Sequence, residues 1–275
     1  MISSQNKIID HEFDKLLAKL ISKEYFAFSR FNDGEMHVIK NADFTCKQWQ
    51  MPRAVIAHYR SLLIKSFTYT HKDYLVGLPC GCCESLDGFR DYINQQFDLS
   101  QTNQTFATLF TNAMYKRVKN ELIPTIKQYP IVLIANKYTN LESLNKQGFN
   151  IKKFFPIPMN AWQQHDVLLN DILEYVKNNK INDHLFLFCA GPVSNILIHQ
   201  IHQIYPTNTY IDFGSSIDKE LGLKRSDRNY LKIFGWKKLA KCYWHSPTEK
   251  KQISCFGKDK NYWYRFWLKI RASIV

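Results

Sequence analysis

No stretch of the chain approaches the roughly 20 consecutive apolar residues needed to span a bilayer as a helix. The first twenty residues carry Asp10, Glu12 and Asp14 among their apolar positions and do not read as a secretory signal. Glycine and proline are sparse, 10 and 9 of 275 residues, and no low-complexity tract or internal repeat breaks the pattern, which argues against a disordered chain. Cysteine numbers only seven, an odd count, and Cys189 stands inside an apolar run where a thiol behaves as a small hydrophobe, so a reducing compartment is expected. Cys80-Gly81-Cys82-Cys83 has no second cluster or histidine pair at zinc-finger spacing to complete a metal site. Also missing are the repeated glycines of a dinucleotide fingerprint and the Gly-Lys-Thr of a P-loop. Acidic residues are the last shortage: 24 Asp and Glu against 37 Lys and Arg leave a formal charge of +13. An anionic partner such as nucleic acid, anionic lipid or nucleotide phosphate is the physical implication.

What is present is an ordered globular composition, 45% hydrophobic and 15% aromatic. At 275 residues the chain is expected to form a single domain, spanning 1–275, with a basic, aromatic extension from about Lys224. Apolar residues at three- and four-residue spacing from Ile8 to Ser22 predict an amphipathic opening helix that leads to a strand at Tyr25-Phe26-Ala27-Phe28. Helices are expected at Pro52–Lys65 and from Ser85 to Phe97, with a strand at Tyr74–Leu78 between them. Thr105–Phe110 reads as a strand, with Thr111 as N-cap of a following helix. Strands at Tyr129–Ala135, Ile151–Ile157 and Leu185–Cys189 then alternate with helices at Asn140–Gln147 and Trp162–Asn178. The continuous apolar runs Ile131–Ile134 and Leu185–Phe188 suit strands covered on both faces. Strand–loop–helix alternation implies right-handed crossovers. The expected fold is α/β and Rossmann-like, a mostly parallel sheet covered by helices on both faces, with ligands at the carboxyl ends of the strands.

Three loops at such ends carry the chemistry. In Ser29-Arg30-Phe31-Asn32-Asp33-Gly34-Glu35, turn chemistry at Asn32-Asp33-Gly34 should stop the strand and set Asp33 and Glu35 on a loop edge. Two carboxylates so close raise each other's pKa unless a cation lies between them or an arginine neutralises them, and Arg30 leaves both remedies open. Gly191-Pro192-Val193-Ser194-Asn195 joins a buried strand to a helix whose first N–H groups could receive phosphate, although a plain turn explains the same residues. Tyr210-Ile211-Asp212-Phe213-Gly214 repeats the strand–aspartate–glycine pattern, with Asp218 and Glu220 close behind. Asp212 suits either a ligand contact or a helix cap.

Several segments together resemble the GT-D type glycosyltransferases. The family's Arg-Phe-Gly-Asp-Gly-Glu resembles Arg30-Phe31-Asn32-Asp33-Gly34-Glu35, with Asn32 the one departure. Its Asn-Ala, aromatic, basic segment resembles Thr111-Asn112-Ala113-Met114-Tyr115-Lys116-Arg117, and its Pro-x-x-Asn-Ala-aromatic element resembles Pro156–Trp162. The Leu-Gly-Pro-Thr-Ala turn is similar to Cys189–Asn195, with Val193 and Ser194 replacing Thr and Ala. Asp212–Glu220 resembles Asp-x-Gly-His-x-Asp-x-Glu with one residue inserted and no histidine. The order of these matches from Arg30 to Glu220 carries the resemblance.

The resemblance implies a Rossmann-like fold and a metal-dependent hexosyl- or pentosyltransferase. The donor would be a nucleotide-diphosphate sugar, a UDP-sugar by preference, and the acceptor a hydroxyl of a glycan, glycoprotein or glycolipid. Asp33 and Glu35 would hold Mn²⁺ or Mg²⁺, hard cations suited to oxygen ligands. Arg30, Asn112, Arg117, Asn160, Gly191, Pro192, Ser194, Asn195, Asp212 and Gly214 would bind substrate, with Asp33, Glu35 and Asp218 catalytic and Asp218 favoured as general base over Asp212, Glu220 and His165. The aromatic and basic run Asn261–Arg271 suits a membrane interface or a helix packed on the core. The expected location is the cytoplasm, with peripheral membrane contact through that segment. Two alternatives remain: a nucleic-acid-binding protein, suggested by charge and by Trp236, Lys237, Lys238, Tyr243, Trp244 and His245 but without a binding motif, and a sugar-nucleotide hydrolase. No nucleic-acid partner is expected.

Overall fold

The computed structural model describes residues 4–41, 44–46, 49–51, 53–79, 89–111 and 114–223. Helix α1 (Ser4–Ile21) precedes β1 (Ala27–Arg30), α2 (Asp33–Ile39), a hairpin of β2 (Phe44–Cys46) and β3 (Trp49–Met51), and α3 (Arg53–Phe67). Strand β4 (Tyr74–Leu78), α4 (Phe89–Gln96) and β5 (Asn103–Phe106) follow. A 3-10 turn (Ala107–Phe110) then leads into a helical stretch of α5 (Tyr115–Arg117), a π-type turn (Val118–Leu122) and α6 (Ile123–Ile126). The rest alternates: β6 (Ile131–Asn136), α7 (Leu141–Lys146), β7 (Ile151–Ile157), α8 (His165–Asn178), β8 (Leu185–Phe188), α9 (Pro192–Ile204) and β9 (Thr209–Asp212).

Seven strands form one sheet in the order β5-β4-β1-β9-β8-β6-β7, and every neighbouring pair is parallel. Alternate side chains along each strand enter different cores, as a period of two requires. Ala27, Val132, Ile134, Phe186, Phe188 and Tyr210 pack with α2, α3, α8 and α9. Phe26, Phe28, Ile131, Leu133, Leu185, Leu187 and Ile211 pack on the other face with α1, the 115–126 stretch and α7. The fold class read from the sequence is therefore the observed one.

The registers show how the carboxyl ends align. Arg30 is level with Gly77 of β4, Ala27 and Phe28 lie beside Tyr210 and Ile211 of β9, and Phe188 lies beside Asp212. The next strand of the sheet after β1 in the chain, β4, lies on one side of it, with β5 beyond. From β9, segment 213–223 runs the other way, where Asn140 N–H donates to the Leu221 carbonyl and Gln147 Nε2 to the Glu220 carbonyl. A reversal of strand order of this kind is where α/β sheets place a ligand, outside the carboxyl ends of the strands.

Four local expectations need correcting. Asn32-Asp33-Gly34 is not a free turn: Asn32 caps α2, and its N–H donates to Glu35 Oε2 at 2.7 Å, so the same turn-forming residues begin a helix. The strand expected to Phe110 ends at Phe106, because Leu109 and Phe110 coil inward to bury their side chains; Thr111 closes that turn with an extended backbone, and its carbonyl accepts the Met114 N–H at 3.2 Å. The helix expected from Trp162 begins as a 3-10 turn (Ala161–Gln164) before α8. The β2–β3 hairpin had no counterpart in the sequence pattern. Asn112, Cys80, Cys82, Cys83, Cys242, Cys255 and everything from Lys224 onward, including the basic aromatic extension, lie outside the described residues.

Candidate ligand site at the strand ends

The end of β1 delivers Arg30 into the interior, only 5% exposed, beside Asp212 from the end of β9. Arg30 Nε lies 3.6 Å from Asp212 Oδ2, and Nη1 donates to the Ala107 carbonyl at 3.3 Å. The guanidinium also stacks over the Phe110 ring, 5.4 Å from its centre. Burial pushes the Asp212 carboxyl above the usual carboxylate range, and Arg30, the backbone N–H groups of Gly214 and Arg30 and the Ser194 hydroxyl pull against it. Gly214 N–H donates to Asp212 Oδ1 at 2.9 Å. Gly214 itself has φ +51°, and a Cβ there would fall 2.2 Å from Arg30 Nη2. The glycine is the space the guanidinium occupies.

Cys189 follows the last residue of β8, next to this pair. Burial raises the Cys189 thiol well above its ordinary pKa, Asp218 and Asp212 push further in that direction and Arg30 opposes them, so the sulfur is held as a thiol and not as a nucleophilic thiolate. Asp218 is 6% exposed and belongs to segment 213–223, which Ile217 and Leu221 anchor in the core. Tyr115 faces the same group: burial and then the charges of Glu220 and Asp218 raise its pKa. Glu220 pairs with Lys119 from the π-type turn.

Helix α9 starts at Gly191, whose φ of 59° and ψ of −146° only glycine adopts easily. The donor set at this helix start is narrower than the sequence suggested. Pro192 has no N–H, and the Ser194 N–H bonds the Gly191 carbonyl at 2.9 Å. The Ser194 hydroxyl accepts the Ala190 N–H, and Asn195, fully buried, donates through Nδ2 to Ser29 Oγ at 3.0 Å and to the Arg30 carbonyl at 2.7 Å. These two side chains therefore stitch α9 to β8 and β1.

Of the remaining sequence-derived candidates, Glu35 sits at the start of α2, 7% exposed, within the same strand-end layer, whereas the Asp33 side chain lies outside the described atoms. Arg117 is occupied elsewhere: Asp10, Asp14 and Glu121 surround its guanidinium, which stacks on Phe13 at 4.5 Å. Asn160 stands after β7 in the left-handed region, φ 55°, and its Oδ1 accepts the Gln50 N–H at 2.8 Å. His165 is buried in α8 with Nε2 2.8 Å from Gln200 Oε1. The structure thus groups Arg30, Gly191–Asn195, Asp212, Gly214 and Asp218, sets Glu35 at the start of α2 against the Asn32 N–H, and places Arg117, Asn160 and His165 in other contacts. Ala107, Phe110 and Tyr115 border the group. Sequence reasoning missed their part because no spacing rule links them to Arg30. Among the described residues no group of three or more His, Cys, Asp or Glu side chains is arranged to hold a metal ion, and no helix is long and apolar enough to cross a membrane.

Fold and site together define an α/β protein with buried charged side chains gathered at the carboxyl ends of a parallel sheet, where the strand order reverses. No protein-family model matches the chain, and no curated protein matches it. Two solved structures do share its fold. One, described as the selenomethionine-substituted structure of domain of unknown function 1792, superposes with a TM-score of 0.51 at 15% identity over 80% of this chain and 87% of its own. The other gives 0.50 at 17% identity over 77% and 81%, and is described as showing that this highly conserved domain has a distinct glycosyltransferase fold. The chain has this glycosyltransferase-like α/β fold, which is the level at which the resemblance to GT-D enzymes is met.

Proposed function

We propose that the chain is a glycosyltransferase that moves a sugar from a nucleotide-diphosphate donor to an acceptor hydroxyl of a glycan, glycoprotein or lipid-linked acceptor. The observation that carries this reading is the meeting of Arg30, Asp212 and Asp218 beside the start of α9 at the strand ends. In such a reaction negative charge builds on the departing diphosphate, and cationic and N–H groups preset around it lower the barrier. Arg30, held in place by Asp212, Ala107 and Phe110, presents fixed positive charge, and the first turn of α9 adds the positive end of its dipole.

Asp33 and Glu35 supply hard carboxylate oxygens, a donor set that suits Mn²⁺ or Mg²⁺. Glu35 is already oriented by the Asn32 N–H on one oxygen. A divalent cation bound there would supply Lewis-acid neutralisation of the diphosphate. Asp218, poorly exposed and next to Asp212 and Cys189, is the candidate base toward the acceptor hydroxyl. The donor is expected to be a UDP-sugar, and the excess positive charge of the chain favours an anionic ligand.

Thermal-shift titration of the chain with UDP-sugars and Mn²⁺ tests the reading, because a ligand at 100 times its Kd stabilises the fold by about 2.7 kcal/mol. Glu35→Ala is expected to remove the Mn²⁺ dependence, and an unaltered dependence would sink the metal assignment. Asp218→Asn is expected to keep donor binding and lower transfer on the order of a hundredfold or more, with transfer scored by sugar attached to acceptor and hydrolysis by free sugar.

A further inference from the structure

The β2–β3 hairpin is held by a pair of side chains from the loop after β7. Gln50 stands opposite Thr45, the middle of three antiparallel pairs. Its N–H donates to Asn160 Oδ1 at 2.8 Å and its carbonyl accepts from Trp162 Nε1 at 3.1 Å. In an antiparallel ladder, successive pairs alternate between those that exchange main-chain bonds and those whose N–H and C=O point outward. Asn160 and Trp162 occupy the outward-facing positions that another strand would fill. An unprotected two-stranded ribbon is marginal by itself, so these contacts matter to its position.

Both clamp residues are fixed by their surroundings. Asn160 adopts φ 55° and ψ 47°, a conformation asparagine tolerates better than most residues, and its carbonyl accepts the Gln163 N–H at 2.9 Å. Trp162 is 7% exposed and meets Tyr59 of α3 edge-on at 5.5 Å, while the Tyr59 hydroxyl donates to the Trp162 carbonyl at 2.5 Å. The hairpin follows α2, which starts at the carboxyl end of β1, and it is caught at the carboxyl end of β7. Strands β9, β8 and β6 lie between those two. Met51 of β3 is buried in the core that α2, α3, α8 and α9 share, so β3 meets the sheet on the face that carries the start of α9.

We infer that Asn160 is a positioning residue that acts through Gln50, and that Asn160 and Trp162 together set the β2–β3 hairpin as one wall of the strand-end site. This rests on the donor-binding reading given above. The sequence resemblance implies a direct ligand contact for Asn160, but its amide oxygen already receives a peptide N–H. A ligand hydroxyl would have to displace that bond.

Three variants separate the roles. Asn160→Asp keeps an acceptor oxygen, Asn160→Gly keeps the left-handed backbone but removes the acceptor, and Trp162→Phe keeps an apolar ring but removes the indole N–H. Amide exchange at Gln50, followed by NMR, is expected to quicken roughly fivefold to tenfold in Asn160→Gly and in Trp162→Phe, and to stay near wild type in Asn160→Asp. Affinity for UDP-glucose with Mn²⁺ is expected to fall in the same two variants, with the double variant no weaker than the weaker single one. Unchanged Gln50 exchange in Asn160→Gly overturns the clamp. Equal loss of affinity in Asn160→Asp and Asn160→Gly, with Trp162→Phe silent, overturns it in favour of direct contact. If the unaltered protein binds no UDP-glucose, the donor reading fails, and the exchange comparison by itself still upholds or overturns the clamp.

Discussion

Arg30 and Asp212 show how much a single residue's role depends on what the chain brings beside it. Each is almost fully buried, and Arg30 Nε has no hydrogen-bond partner, so the pair sits with incomplete compensation. Removing one partner from such a pair leaves an uncompensated buried charge, which costs more than removing both. Arg30→Met is therefore expected to destabilise the fold by about 3–5 kcal/mol, and adding Asp212→Asn to restore a large part of that loss. Chemical denaturation of the two single variants and the double one measures this, and strict additivity would contradict the coupling. In the sequence, Arg30 was legible only as a neighbour of Asp33 and Glu35, and Asp212 served equally well as a cap or a ligand. Neither residue's spacing points to the other.

The elements were most legible where their ends carry specific chemistry. Asn140 and Gly148 frame α7: Asn140 Oδ1 accepts the Ser143 N–H at 2.9 Å, and Gly148 takes φ +85° just past the last turn. Asn140→Ala is expected to cost about 1 kcal/mol, seen as a lower thermal midpoint with little change in the shape of the transition. The start of α2 is ambiguous in the sequence for a related reason. Asparagine, aspartate and glycine serve turns and helix N-termini alike, and only the reach of Glu35 back to the Asn32 N–H decides between them. The short strands β2 and β3 left no periodic trace, since three residues each cannot establish an alternation.

Across the whole molecule, a second buried polar group lies far along α9 from its start. His199 and His202 sit among Tyr69, His71, Tyr74 and Tyr210, and both ring nitrogens of His202 lack partners. Burial lowers each imidazole from 6.5 to about 4, with Lys65 adding to the effect at His199, and His71 and then His199 adding to it at His202. The unfolded chain thus takes up protons at these two sites near pH 6.5 while the folded one does not until about pH 4. Their contribution to stability is complete above the upper value and is lost as the pH falls through that window. Unfolding midpoints followed from about pH 7 down to 4 are expected to drop, and His202→Phe to flatten the slope at little cost at neutral pH. A slope unchanged by that substitution would contradict the assignment.

The sequence by itself determined the layering. Apolar runs such as Ile131–Ile134 can be stable only between two helical faces, and alternating strands and helices with short links permit few arrangements other than a parallel sheet. Local order is encoded locally, in periodicity and in caps. What the tertiary structure decided was adjacency at the carboxyl ends: Arg30 against Asp212 and Gly214, Asn195 against Ser29, Gln50 between Asn160 and Trp162. Those meetings depend on strand order and register, which join residues far apart in the chain and leave no spacing in the sequence to read.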